Sequence, residues 1–158
     1  MEIKYLTQLK NNPSGNPTSL TYKKTIVPIP LEEITQLEVL FNNNNAFPVA
    51  LKELLFLAGN YCYVLDMGTF NTQQDMQEYM RQRLNIDGKV ITRPFYIIDV
   101  YNATYQFLFV YLDEGDNPAV YEANYYKETP DWIHPVKNSL SGYIDALIQR
   151  VKDGDNPF

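Results

Sequence analysis

From Pro30 onward, apolar residues recur at three- and four-residue steps in two successive stretches, each opened by a proline. In "PIPLEEITQLEVLF" the residues Leu31, Ile34, Leu37, Val39, Leu40 and Phe41 fall mostly on one helical face, and Glu32 and Glu33 occupy the first turn, where the helix dipole favours acids. In "AFPVALKELLFLAGN" Pro48 pre-sets a first turn, and Leu51, Leu54, Leu55 and Ala58 recur on one face. Val49, Phe56 and Leu57 widen that stripe, so this second helix is expected to be covered on more than one side. Gly59 is expected to end it as a left-handed cap.

"YCYVLDM" then has strand character, and "TFNTQQDMQEYMRQRLNIDG" predicts a third helix. Thr72 is its cap, Asp75 stands at the capping-box position, and Met76, Tyr79, Met80 and Leu84 make an apolar stripe. "FYIIDVY" and "YQFLFVYL", separated by "NAT", predict a hairpin, "DEGDNP" a turn, and "AVYEANYY" a further strand. "SLSGYIDALIQRV" predicts a closing helix, capped near Asn138 or Ser139, that packs Leu140, Tyr143, Ile144, Leu147 and Val151. In "YQFLFVYL" both alternating sets are largely apolar: Tyr105, Phe107, Phe109 and Tyr111 on one face, Gln106, Leu108, Val110 and Leu112 on the other. That strand is therefore expected at the centre of its sheet. The turn-rich "NNPSGNPTS" from Asn11 to Ser19 buries little, so residues 1–28 read as a partly irregular arm and 29–158 as one α+β domain. Its sheet is mainly antiparallel, with two N-terminal helices, one helix between strands and a C-terminal helix.

Composition narrows the chemistry. At 158 residues the chain is long enough for one self-sufficient core. The single cysteine, Cys62, excludes an internal disulfide framework, and the single histidine, His134, excludes a Cys/His zinc cluster. No apolar run reaches membrane-spanning length and the start lacks a secretory pattern, so a cytoplasmic location is expected. A net charge of −6 argues against direct nucleic-acid binding. Between Phe95 and Asp131 seven acids face one base, Lys127, whereas the rest of the chain is balanced. Such asymmetry steers basic partners.

Candidate catalytic groups fare poorly against plainer readings. Cys62 reads as a buried structural thiol and His134, before Pro135, as a surface loop residue, with no third group to orient a nucleophile–base pair. The acids of "LDEGDNPAVYE" lack the ligand alternation of a calcium loop, and no phosphate loop, nucleophile elbow or metal-binding helix motif is present. The expectation is a protein with no catalytic residues, cofactor or metal. Tyrosine is abundant, with 13 copies. Together with the acids it supplies the candidate partner-binding set: Asp99, Tyr101, Tyr105, Asp113, Glu114, Asp116, Glu122, Tyr125 and Tyr126.

The succession "IPLEEITQLEVLFN" and "FPVALKELLFLAGN" resembles the opening of the SUKH superfamily, which includes the fungal cell-wall glucan-synthesis regulator and bacterial immunity proteins of polymorphic toxin systems. The matching features fall on Glu38, Phe47-Pro48, Leu51, Leu54, Leu55 and Gly59. Phe47 stands where leucine is common, and Asn60 where a second glycine is frequent. "FYIIDVYNATYQFLFVYL", "DNPAVYEA" and "NSLSGYIDALI" are similar to the family's second half, so the resemblance covers Ile29 to Lys152. It implies a binding fold without shared catalytic residues that recognises a cognate toxin, a nuclease if the acidic segment mimics phosphates. The competing expectation is a regulatory or scaffold protein acting on host proteins; an enzyme ranks third.

Overall fold

A short helix that the sequence pattern does not announce, α1 (Thr7–Asn11), opens the fold. Leu6 and Leu9 are fully buried there. The computed structural model describes residues 1–15, 25–67, 70–128 and 130–157, so Asn16 to Ser19 of the turn-rich stretch lie outside the described residues. The next two helices form behind their prolines: α2 (Leu31–Phe41) with Pro30 as N-cap and α3 (Val49–Ala58) with Pro48. Glu53 of α3 has no exposed surface, and its carboxylate accepts the backbone N–H groups of Lys4, Tyr5 and Leu6 at 2.6, 2.9 and 2.8 Å. A buried carboxylate needs such donors, and here they fasten the start of the chain to the core.

Two sequence expectations change at this point. Gly59 is right-handed, with φ −65° and ψ −26°, and is not a left-handed cap. Glycine is required there for space, because a Cβ would lie 2.6 Å from the Leu55 carbonyl oxygen and 2.8 Å from Ile29 Cγ1. "YCYVLDM" is not a strand: Tyr61 makes one isolated bridge with Val27, and the chain then turns. Cys62, Val64 and Leu65 imitate a strand because they are apolar and buried.

The third long helix, α4 (Gln73–Ile86), starts as expected, with the Thr72 hydroxyl accepting the Asp75 N–H at 3.1 Å. Met76, Met80 and Leu84 are buried, whereas Tyr79 stays outside. After it come β1 (Phe95–Tyr101), β2 (Gln106–Tyr111), β3 (Val120–Asn124) and β4 (Ile133–Lys137), then α5 (Leu140–Lys152), whose Ser139 cap accepts the Gly142 N–H. The four strands form one antiparallel sheet in the order β1-β2-β3-β4, and the domain is α+β. β2 is internal, as its two apolar faces require. β4 corrects the reading of His134 as a loop residue, since His134 pairs with Glu122 and Pro135 with Tyr121.

The sheet separates two cores. One face of β2, Leu108 and Val110, joins an aliphatic cluster with α2, α3, α5 and the buried leucines of the arm. The other, Phe107 and Phe109, joins an aromatic cluster with Met76, Met80 and Leu84 of α4 and with Trp132. Along the outer edge of β1, the Gln77 side-chain amide donates to the Ile97 carbonyl at 2.7 Å and accepts the Ile97 N–H at 3.1 Å. Arg81, held between the rings of Phe41 and Phe95, donates to the Phe95 carbonyl, and the Asp66 carbonyl accepts the Val100 N–H.

Candidate functional site

The hairpin joining β1 to β2 turns through three consecutive left-handed residues, Asn102, Ala103 and Thr104, with φ of 50°, 51° and 70°. Non-glycine residues adopt that region at a cost of roughly 1–2 kcal/mol each. The turn projects Tyr101 to the aliphatic side and Tyr105 to the aromatic side. The nine candidate residues thereby sort into three separate places.

Tyr105, Tyr125 and Tyr126 belong to an aromatic ledge. The Tyr105 and Tyr126 rings stack with centroids 5.0 Å apart and planes 20° from parallel. The Arg83 guanidinium from α4 lies 4.8 Å from the Tyr105 ring centroid and 5.7 Å from that of Tyr125. Tyr125 is the root of the ledge, half-buried against Phe107 and Trp132. Ile86 and Val90 at the end of α4 and just beyond it, and Tyr126, are 71%, 70% and 71% exposed, and Tyr79 is also exposed. α4 is thus buried through Met76, Met80 and Leu84 and presents Tyr79, Arg83 and Ile86 outward. Lys89 reaches across to the Lys127 carbonyl and packs over Trp132. The chain pattern does not announce Tyr79, Arg83, Ile86 and Val90 as surface residues. Tyr79 was assigned to the buried stripe, and no sequence signal connected the other three to the tyrosines of β2 and β3.

Asp113, Glu114 and Asp116 occupy the turn between β2 and β3, where Gly115 supplies a φ of +79°. They do not stand as bare charge. Arg93 donates to Asp113 at 2.5 and 3.2 Å and to Glu114 at 3.0 Å, and its guanidinium lies 3.9 Å from the centroid of the Tyr111 ring. That pairing holds the Asp113 carboxyl below its ordinary range. Lys4 Nζ is 3.9 Å from Asp116, and the Tyr121 hydroxyl donates to Glu114. Arg93 lies just before the segment whose charge was counted, so the chain-order count exceeds the negative charge this turn presents.

Asp99, Tyr101 and Glu122 line a cavity of about 320 Å³ on the aliphatic side, together with Asp66, Leu108 and Tyr143. A bulge between Ile97 and Asp99 makes this possible. It places Asp99 opposite Leu108 and so on the same face, where strict alternation after Ile98 would put it on the other. Asp99 is 5% exposed, and its Oδ1 accepts the Asp66 N–H at 2.9 Å. Burial pushes its carboxyl up to about 7. Glu122 accepts the Tyr101 hydroxyl at 2.6 Å and the Gln106 amide at 3.3 Å, with His134 Nε2 at 3.7 Å. Burial and the neighbouring carboxylates raise the phenols of Tyr101 and Tyr143, so both stay neutral.

Cys62 is buried, and desolvation pushes its thiol up to about 12, which removes the thiolate a nucleophile needs. Among the described residues no three His, Cys, Asp or Glu side chains are grouped to hold a metal ion, and no helix is long and apolar enough to cross a membrane. Comparison with protein-family models, with curated proteins and with solved structures finds no match.

Proposed function

We propose that this protein is a non-catalytic binding domain that acts by occupying the surface of another protein. One observation carries the reading: the ledge of Tyr105 and Tyr126, stacked on each other and backed by Arg83 of α4, a helix that also exposes Tyr79 and Ile86. Tyrosine and arginine are the side chains that supply most binding energy at protein interfaces. A stacked and braced pair loses less rotamer freedom on docking than mobile side chains would. The partner is a cognate toxin domain and the protein its cytoplasmic immunity factor, as the resemblance to the SUKH superfamily implies. Blocking the toxin requires about 800 Å² of surface on each side, at the centre of which the ledge would act as the aromatic anchor.

The test is co-expression with candidate toxin domains, beginning with any that a neighbouring gene encodes. Co-purification and rescue of growth support the reading, provided that Tyr105→Ala with Tyr126→Ala abolishes both without lowering the Tm. No complex and no rescue overturn it, and capture of a cell-wall synthesis protein would replace the toxin by a host partner. A nuclease partner with a basic groove would also associate more slowly as salt is raised; a salt-indifferent rate removes the phosphate-mimicry element.

A further inference from the structure

The cavity on the aliphatic side combines features that the ledge reading leaves unused. Asp99 is a nearly fully buried carboxylate facing an open space. Among the described residues no lysine, arginine or histidine is within ion-pair distance of it. Such a charge is costly without a counter-ion. Glu122 adds a second carboxylate, already oriented by Tyr101 and Gln106, with the half-exposed His134 beside it. Tyr101 and Tyr143 contribute two aromatic rings to the wall, and tyrosine faces attract cations. The nearest basic group on α5, Arg150, acts on Tyr143, but its guanidinium is committed to the carbonyl oxygens of Asn156 and Pro157 at 2.9 and 3.4 Å.

The acids are not gathered closely enough to enclose a metal ion. They are instead distributed around a space at the small end of the roughly 300–1,000 Å³ typical of organic ligand sites. We propose that this cavity binds an organic cation, an alkylammonium or guanidinium group, with Asp99 as its buried counter-ion and Tyr101 and Tyr143 as its walls. The cation has two sources, a lysine or arginine side chain of the bound protein or a free diamine or guanidine. The first rests on the binding reading above; the second does not.

Titration of the full chain with agmatine and with Nα-acetyl-lysine methylamide, followed by calorimetry and by the methyl resonances of Leu108 and Val136, which both line the cavity, tests the site. Saturable binding is expected that strengthens as pH rises through about 7. Asp99→Asn should weaken it at least tenfold, and Glu122→Gln by less. Tyr105→Ala with Tyr126→Ala, on the opposite face, should leave it unchanged. Absence of saturable binding to the folded chain overturns the proposal, as does an affinity indifferent to Asp99→Asn in a variant that keeps its Tm. If agmatine also competes with the toxin domain, a partner side chain fills the cavity. If it binds without competing, the free amine is the ligand. Should no toxin complex form at all, the titration stands by itself.

Discussion

The two faces of the sheet are finished differently. The aliphatic face is covered by α2, α3, α5 and the arm except at the cavity beside Asp99, and even residues near the chain start, Leu6 and Leu9, join its packing. Among the described residues the aromatic face has a single helix, α4, across it, and its tyrosines run outward from Phe107 and Phe109 through Tyr125 to the exposed Tyr105 and Tyr126. A sheet face wider than the helix covering it must end either in polar residues or in side chains that tolerate both environments. Tyrosine is of the second kind, apolar along its ring and polar at its tip. Away from the Asp99 cavity the aliphatic face therefore serves stability, while the margin of the aromatic face is available for recognition.

The largest expected effects are losses of fold, one on each side. Glu53→Ala removes three backbone hydrogen bonds to a buried carboxylate and should cost about 3–5 kcal/mol in urea unfolding. Phe109→Ala empties the centre of the aromatic cluster and should cost a similar ~3–5 kcal/mol. A much smaller loss at Phe109 would mean that the face under a single helix is loosely packed and would break the comparison.

The pH dependence comes next. The unfolded chain releases the Asp99 proton near 3.8 and the folded chain near 7. Between those values the folded state holds an extra proton, so stability should fall as pH rises from about 4 to about 7 and level off above. The total is on the order of 4 kcal/mol. Asp99→Asn should flatten that part of the stability profile in denaturant titrations at successive pH values.

Tyr126→Ala sharpens the contrast between stability and recognition. Unfolding free energy should change by no more than ~0.5 kcal/mol, while the complex with the partner should weaken by about 2 kcal/mol or more. The smallest expected effect is at the β2–β3 turn, where Arg93→Ala breaks exposed ion pairs and should change stability by less than ~1 kcal/mol. It uncovers Asp113 and Glu114, so stopped-flow association with a basic partner should accelerate at low salt if that edge takes part in steering.

Four of the five helices were legible because local chemistry specifies their starts: Pro30, Pro48, the Thr72 cap and the Ser139 cap. The centrality of β2 was legible from two apolar faces. α1 was not, since its five residues carry too little periodicity. β4 was hidden because "IHPVK" becomes a strand only through pairing with β3. The candidate site was legible residue by residue but not as an arrangement. Asp99 and Glu122 were named, yet a bulge of one residue decides which face Asp99 joins, and Tyr143 arrives from a helix far along the chain. Likewise Arg83 reaches the tyrosine ledge from α4, and Arg93 offsets the acids of the turn from outside the segment counted.

Gln77 has an effect that reaches past its own hydrogen bonds. By answering both backbone groups of Ile97, its amide stands in for a neighbouring strand, and Asp66 and Arg81 do the same for Val100 and Phe95. At the far edge Pro135 has no N–H to offer. The sheet thus terminates itself on both flanks, which disfavours zippering into fibrils or capturing a foreign extended peptide by strand addition. Replacing Gln77 by leucine would reopen one flank and make self-association of this otherwise finite ribbon measurable by light scattering.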